Sequence, residues 1–151
     1  MQGTRTVYIK GAEQDKRGIS ILASITASGE KLPLAFIFKG KTGPRDIKIP
    51  APHLKFCSVK GWMNETIWSQ YAAKVWFTRT KEHCMHVYDT YGAHNSDNYL
   101  HAATRNKVHN INVPAAMTGT LQPFDRLVAG PWKESVKNTV SLWYENNSGE
   151  M

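Results

Sequence analysis

Cys84-Met85-His86-Val87-Tyr88-Asp89 is a short strand-like run that ends on a carboxylate, and His94 follows five residues later. Downstream, Thr118-Gly119-Thr120-Leu121-Gln122-Pro123-Phe124-Asp125 forms a polar loop that ends on a second carboxylate beside a helix start. A strand that delivers one Asp and a loop that returns another can build a divalent-metal site. Hard Mg²⁺ takes oxygen ligands, often only one or two protein carboxylates, and leaves room for phosphate oxygens.

The residues between these two runs decide the fold class. Asn95 or Ser96 can cap a helix whose inward face is Tyr99, Leu100 and Ala103. Val108-His109-Asn110-Ile111-Asn112-Val113 alternates apolar and polar, the mark of a strand, and Pro114 stops it. Strand, helix, strand spells a right-handed βαβ unit with its site at the strand C-termini, where Asp89 lies. The last helix is expected over residues 131–146, with Trp132, Val136, Val140 and Trp143 at helical spacing and Pro131 in its first turn.

Upstream, residues 4–10 are alternating and β-branched, hence a strand, and residues 11–17 are turn-like. Residues 19–26 read as a second strand and residues 34–38 as a third, antiparallel to it, with Ser28-Gly29 turning the hairpin. Residues 39–54 are rich in Pro, Gly and Lys and read as a loop. From Asn64, Ile67, Trp68, Tyr71, Ala72, Val75 and Trp76 repeat at helical spacing, with Asn64 as N-cap. Such an aromatic stripe is read as core rather than as a base-stacking platform. The order βββ-α-β-α-β-α predicts an α/β fold, a mixed sheet with flanking helices.

Composition bounds the partners. At 151 residues the chain is one domain with a frayed tail over 147–151. Its 19 Lys+Arg against 12 Asp+Glu give a net charge of +7. That balance suits a polyanion, because neutralising phosphates releases counterions. Lys39, Lys41, Lys48 and Lys133 are the bases placed to lie along a DNA backbone; a solvated, solubilising role is the alternative. Cys57 and Cys84 are too few for a disulfide framework and have no CxxC or His-spaced zinc partner. A reduced compartment fits. No apolar run is long enough to span a membrane.

Asp89…His94, then Leu121-Gln122-Pro123-Phe124-Asp125 with Pro131-Trp132-Lys133 behind it, resembles the DDE-type transposase catalytic domain of the pogo/Tigger group, which includes relatives of centromere protein B and Jerky. Gly29-Glu30-Lys31-Leu32-Pro33 with Ile37-Phe38-Lys39-Gly40-Lys41, and Gly61-Trp62-Met63, match in the same order. The resemblance implies a ribonuclease-H-like fold, a nuclear location, DNA as partner and Mg²⁺ or Mn²⁺ as cofactor. It also implies Asp89 and Asp125 as metal ligands and His94 as a member of the catalytic set. Taken alone, Asp125 is better explained as an N-cap and Asp89 as an Asx-turn, and His94 is as well explained as a surface histidine.

One departure qualifies the match. The family's first carboxylate lies in a strand before the segment corresponding to residues 4–10, and the acidic residues ahead of Gly29 are Glu13 and Asp15 in a turn-like stretch. The expectation is a domain incomplete at its N-terminus, lacking its first, central strand and impaired in catalysis. Exposed edges on the neighbouring strands then invite pairing with another chain, hence a homo-oligomer. The competing expectation is a non-catalytic, domesticated DNA-binding or scaffolding module.

Overall fold

The computed structural model describes residues 19–79 and 82–147. It is an α/β arrangement of small sheets and flanking helices. Strands β1 (Ser20–Leu22), β2 (Ala35–Lys39) and β3 (Leu54–Ser58) form one sheet in the order β1-β2-β3. Strands β4 (Cys84–Asp89) and β5 (Val108–Val113) form a second. The strand expected over residues 4–10 lies outside the described residues.

The hairpin forms as its turn residues dictate. β1 and β2 are antiparallel, with Ser20 opposite Ile37, and Gly29 at the turn takes φ +88°, where a Cβ is disfavoured. Beyond Leu22 the expected strand thins to a single bridge between Ile25 and Lys31. β3 has no counterpart among the expected strands and begins at Leu54, where the expected loop ends. β3 pairs in parallel with β2, and the loop between them is held by Lys55, whose Nζ donates to the carbonyls of Pro44 and Ile47.

Gly61 explains one block of the sequence. It takes φ +73°, and a Cβ there would stand 3.1–3.3 Å from Lys39. Its carbonyl accepts from Ser20 Oγ at 2.7 Å, which ties the start of β1 to the turn after β3. Only glycine suits this backbone conformation and this close approach.

Helix α1 (Glu65–Tyr71) begins as predicted, the Ile67 amide donating to Asn64 Oδ1 at 2.9 Å. It passes into a π-helical turn, Ala72–Trp76. Ile67, Trp68, Tyr71, Ala72, Val75 and Trp76 are all buried. They join Leu32, Ala35, Ile37 and Phe56 of the first sheet region to Tyr88 and Val108 of the second and to Tyr99 and Ala103 of helix α2 (Asp97–Arg105) in one core.

β4, α2 and β5 form the expected parallel crossover unit, with Cys84 opposite Val108 and Asp89 opposite Val113. Its helix starts after a 3₁₀ turn, Gly92–Asn95. Ser96 is the N-cap residue but makes no side-chain cap hydrogen bond. Then follow α3 (Thr118–Leu121), α4 (Pro123–Leu127) and α5 (Ala129–Asn147). The expected last helix is therefore longer at its start than predicted. It packs chiefly on α4, and α4 on α3.

Where one mixed sheet was expected, the described residues hold two sheets. β1 and the end of β4 line one pocket, and among the described residues no backbone ladder joins the two sheets. No helix among the described residues is long and apolar enough to cross a membrane.

Candidate functional site

Asp89 closes β4 at its C-terminal end, where successive carbonyls of a parallel strand run out and a side chain can turn toward a cleft. The pocket it lines is bounded by Ser20, Ile21 and Leu22 of β1, Ile37 of β2, and Met63, Tyr91 and His94. The 3₁₀ turn after β4 carries His94 back to Asp89, its amide donating to the Tyr91 carbonyl at 2.9 Å. His94 Nδ1 then stands 2.7 Å from Asp89 Oδ1 and 3.3 Å from the Asp89 carbonyl.

The close contact to Oδ1 is poorly aligned. That oxygen is shielded from solvent and has no hydrogen bond of good geometry, although the whole Asp89 side chain is 41% exposed. An N–H shared between a carboxylate and the same residue's carbonyl satisfies neither fully. His94 thus occupies the space in front of Oδ1, and the exposed remainder of the side chain lines the pocket.

His94 is 9% exposed, its ring lying on Trp68 with centroids 3.6 Å apart and planes 22° from parallel. Burial lowers its pKa, and the hydrogen bonds and charge of Asp89 only partly oppose this. At neutral pH it is therefore mostly the neutral imidazole, a positioner of the carboxylate more than a counter-charge.

Asp125 stands apart from this pair. It is exposed in the first turn of α4, after the N-cap Gln122 and Pro123, and it does not line the Asp89 pocket. The sequence reading put it at the start of the last helix; the short helix α4 intervenes. Lys39 at the end of β2, Lys41 and Lys48 in the following loop, and Lys133 on α5 are all exposed.

As a cation contact, Asp89 has the right chemistry: a half-exposed carboxylate on a strand end that lines the pocket. No three His, Cys, Asp or Glu side chains among the described residues gather as a metal-binding group. The geometry suits a cation held by one carboxylate with water and phosphate oxygens, and not a closed protein cage.

Two histidines outside this pocket meet in space. His83 and His109 lie 26 residues apart and come into contact through the β4–β5 register. Only the pairing of those strands could have revealed them.

Comparison with known proteins adds the family. Residues 16–150 match the family described as DDE superfamily endonuclease. The chain is 27% identical over 146 residues to a human protein named "Pogo transposable element with KRAB domain", a match covering 94% of this chain and 24% of that protein. The mouse protein of the same name is 26% identical over 146 residues, with the same coverage. The chain thus spans about a quarter of the length of these curated relatives. No solved structure matches it. A family match that takes in every element from β1 to α5 leaves one assignment: the chain belongs to the DDE superfamily endonuclease family.

Proposed function

We propose that this chain is a transposase-derived DNA-binding domain with a divalent-metal contact at Asp89, built on a ribonuclease-H-like plan. The observation that carries the reading is the Asp89 carboxylate itself. It sits at the C-terminal end of a parallel strand, lines the pocket with its side chain 41% exposed, and faces a neutral His94. The family match supports the same assignment.

Mg²⁺ or Mn²⁺ bound there would supply Lewis-acid stabilisation of charge on a phosphoryl oxygen. The protein's own part is to hold the carboxylate. β4 fixes the Asp89 backbone through its ladder with β5, and His94, clamped on Trp68, limits the rotation of the side chain. Asp125, exposed on α4, would add a second oxygen ligand only if α4 came to the pocket. The exposed Lys39, Lys41, Lys48 and Lys133 would neutralise backbone phosphates, a contact that positions DNA without reading its sequence.

A second reading has its own observation. Asp125 lies outside the Asp89 pocket, which favours a non-catalytic binding or scaffolding module. Melting with and without Mn²⁺, on wild type, Asp89→Ala and Asp125→Ala, separates the two. A ligand at 100 times its Kd stabilises by about 2.7 kcal/mol, and each kcal/mol moves Tm by about 2–4 °C in a domain of this size. The metal-binding reading expects a rise of several degrees that Asp89→Ala abolishes. A rise that survives Asp89→Ala would overturn it. Nicking of supercoiled plasmid that needs both carboxylates would make the chain a nuclease; DNA retention without nicking would make it the module.

A further inference from the structure

The outer face of the β4–β5 pair carries a cluster that the Asp89 site does not use. His83 immediately precedes β4, and His109 is the second residue of β5. The register sets Met85 opposite His109, and the two-residue alternation of a strand puts positions 83 and 85 on one face. His83 Nδ1 is 3.0 Å from His109 Nε2, and the two rings are within 21° of parallel with centroids 5.3 Å apart. Both imidazoles are exposed, and Met85 is 66% exposed.

We propose that His83 and His109 form a Cu²⁺ site, with the Met85 thioether as a weaker neighbouring donor. Two imidazole nitrogens on one metal, each about 2.0 Å from it, stand about 2.8–2.9 Å apart at a right angle and about 3.3 Å apart at a tetrahedral angle. The observed 3.0 Å lies near the right-angle value that tetragonal Cu²⁺ prefers. Cu²⁺ also heads the affinity order for divalent first-row metals at nitrogen sites.

In the present contact one ring N–H faces the other ring's lone pair. Moving that proton to the outward nitrogen of its own ring, so that His83 Nε2 and His109 Nδ1 are the protonated pair, frees both inward lone pairs without net proton loss. Exposure lets the two rings turn until those lone pairs converge. No further His, Cys, Asp or Glu completes a group of three among the described residues, so water fills the remaining positions. The site lies at the opposite end of β4 from Asp89, six residues away, or about 20 Å at about 3.3 Å per residue. It stands or falls independently of the Asp89 reading.

The test is calorimetric titration of the folded chain with Cu²⁺ at pH 7.5 in a weakly coordinating buffer, followed by electron paramagnetic resonance at one equivalent. Wild type is expected to bind one ion with splitting from two equatorial imidazole nitrogens. His109→Ala and His83→Gln should each weaken binding by at least about tenfold, as loss of even an outer partner of a metal ligand does, and should remove the two-nitrogen pattern. Asp89→Asn should leave both unchanged. Wild-type affinity in either His variant with an unchanged melting temperature, or a spectrum without paired imidazoles, would overturn the proposal. Should one His variant fail to fold, the other decides.

Discussion

In α1 and the π turn that continues it, Ile67, Trp68, Tyr71, Ala72, Val75 and Trp76 repeat at helical spacing, and all are buried. In α5, Val136, Val140 and Trp143 repeat in the same way, and they are 46%, 48% and 57% exposed. The first helix lies between two sheets and meets apolar side chains on both. Tyr71 OH donates to the Pro33 carbonyl on one side, while Trp68 meets Tyr88 and Tyr99 edge-on on the other. The second helix leans chiefly on α4, a helix of five residues, too short to cover a stripe that long. Periodicity states that a face exists. What covers it is settled by the elements around it.

The largest expected effect lies in the covered helix. Trp68 is 1% exposed and touches His86, His94, Tyr88, Tyr99 and Trp76. Trp68→Ala should cost about 3–5 kcal/mol and loosen the His94 ring that backs Asp89. Urea denaturation reads it, and a loss below about 1 kcal/mol would mean the core is not organised around this ring.

A smaller effect comes from acid. His86 is flanked by Trp68 and Trp76, and its Nδ1 is 2.8 Å from Tyr99 OH, which in turn donates to Asn110 Oδ1 at 3.0 Å. Burial, with a lesser contribution from the charge of His94, pushes the His86 pKa down to about 4. The unfolded chain takes up this proton near pH 6.5 and the folded chain only near 4. Between those values the unfolded state binds more protons, so stability is complete above pH 6.5 and falls as pH falls toward 4, by at most about 3 kcal/mol. His94, lowered for the same reason, acts in the same direction. Melting temperatures should decline across that window, and less steeply in His86→Gln. A flat profile from pH 7 to 4.5 would contradict the buried, neutral imidazole.

The smallest effect belongs to the uncovered helix. Trp143→Ala should change stability by no more than about 0.5 kcal/mol, the range of surface substitutions. A loss comparable to that of Trp68→Ala would show that α5 is covered in solution, and the contrast between the two helices would disappear.

Much of this was readable before any coordinates. Alternation in residues 84–89 and 108–113, a helix between them, and Pro114 after them define the crossover unit, because period and breaker are local properties. Asn64 was readable as a cap because its side chain needs only the amide three residues on. β3 was hidden because Leu54–Ser58 follows a loop rich in Pro and Gly and has a Lys and a Ser within its five residues. Its strand character comes from pairing with β2. The π turn was likewise invisible, since its apolar residues keep the spacing of the helix before it.

The sequence by itself determined the element order from β4 to β5, the buried stripe of α1, the carboxylate at the end of β4 and a basic surface. These depend on neighbours within a few positions, or on charge, which needs no fold. Tertiary structure alone decided that His94 lies on Trp68 beside Asp89 while Asp125 stands outside their pocket. It also decided that the strands divide into two sheets and that His83 meets His109. Those relations depend on how distant segments pack, and residue periodicity carries no information about distance across a core.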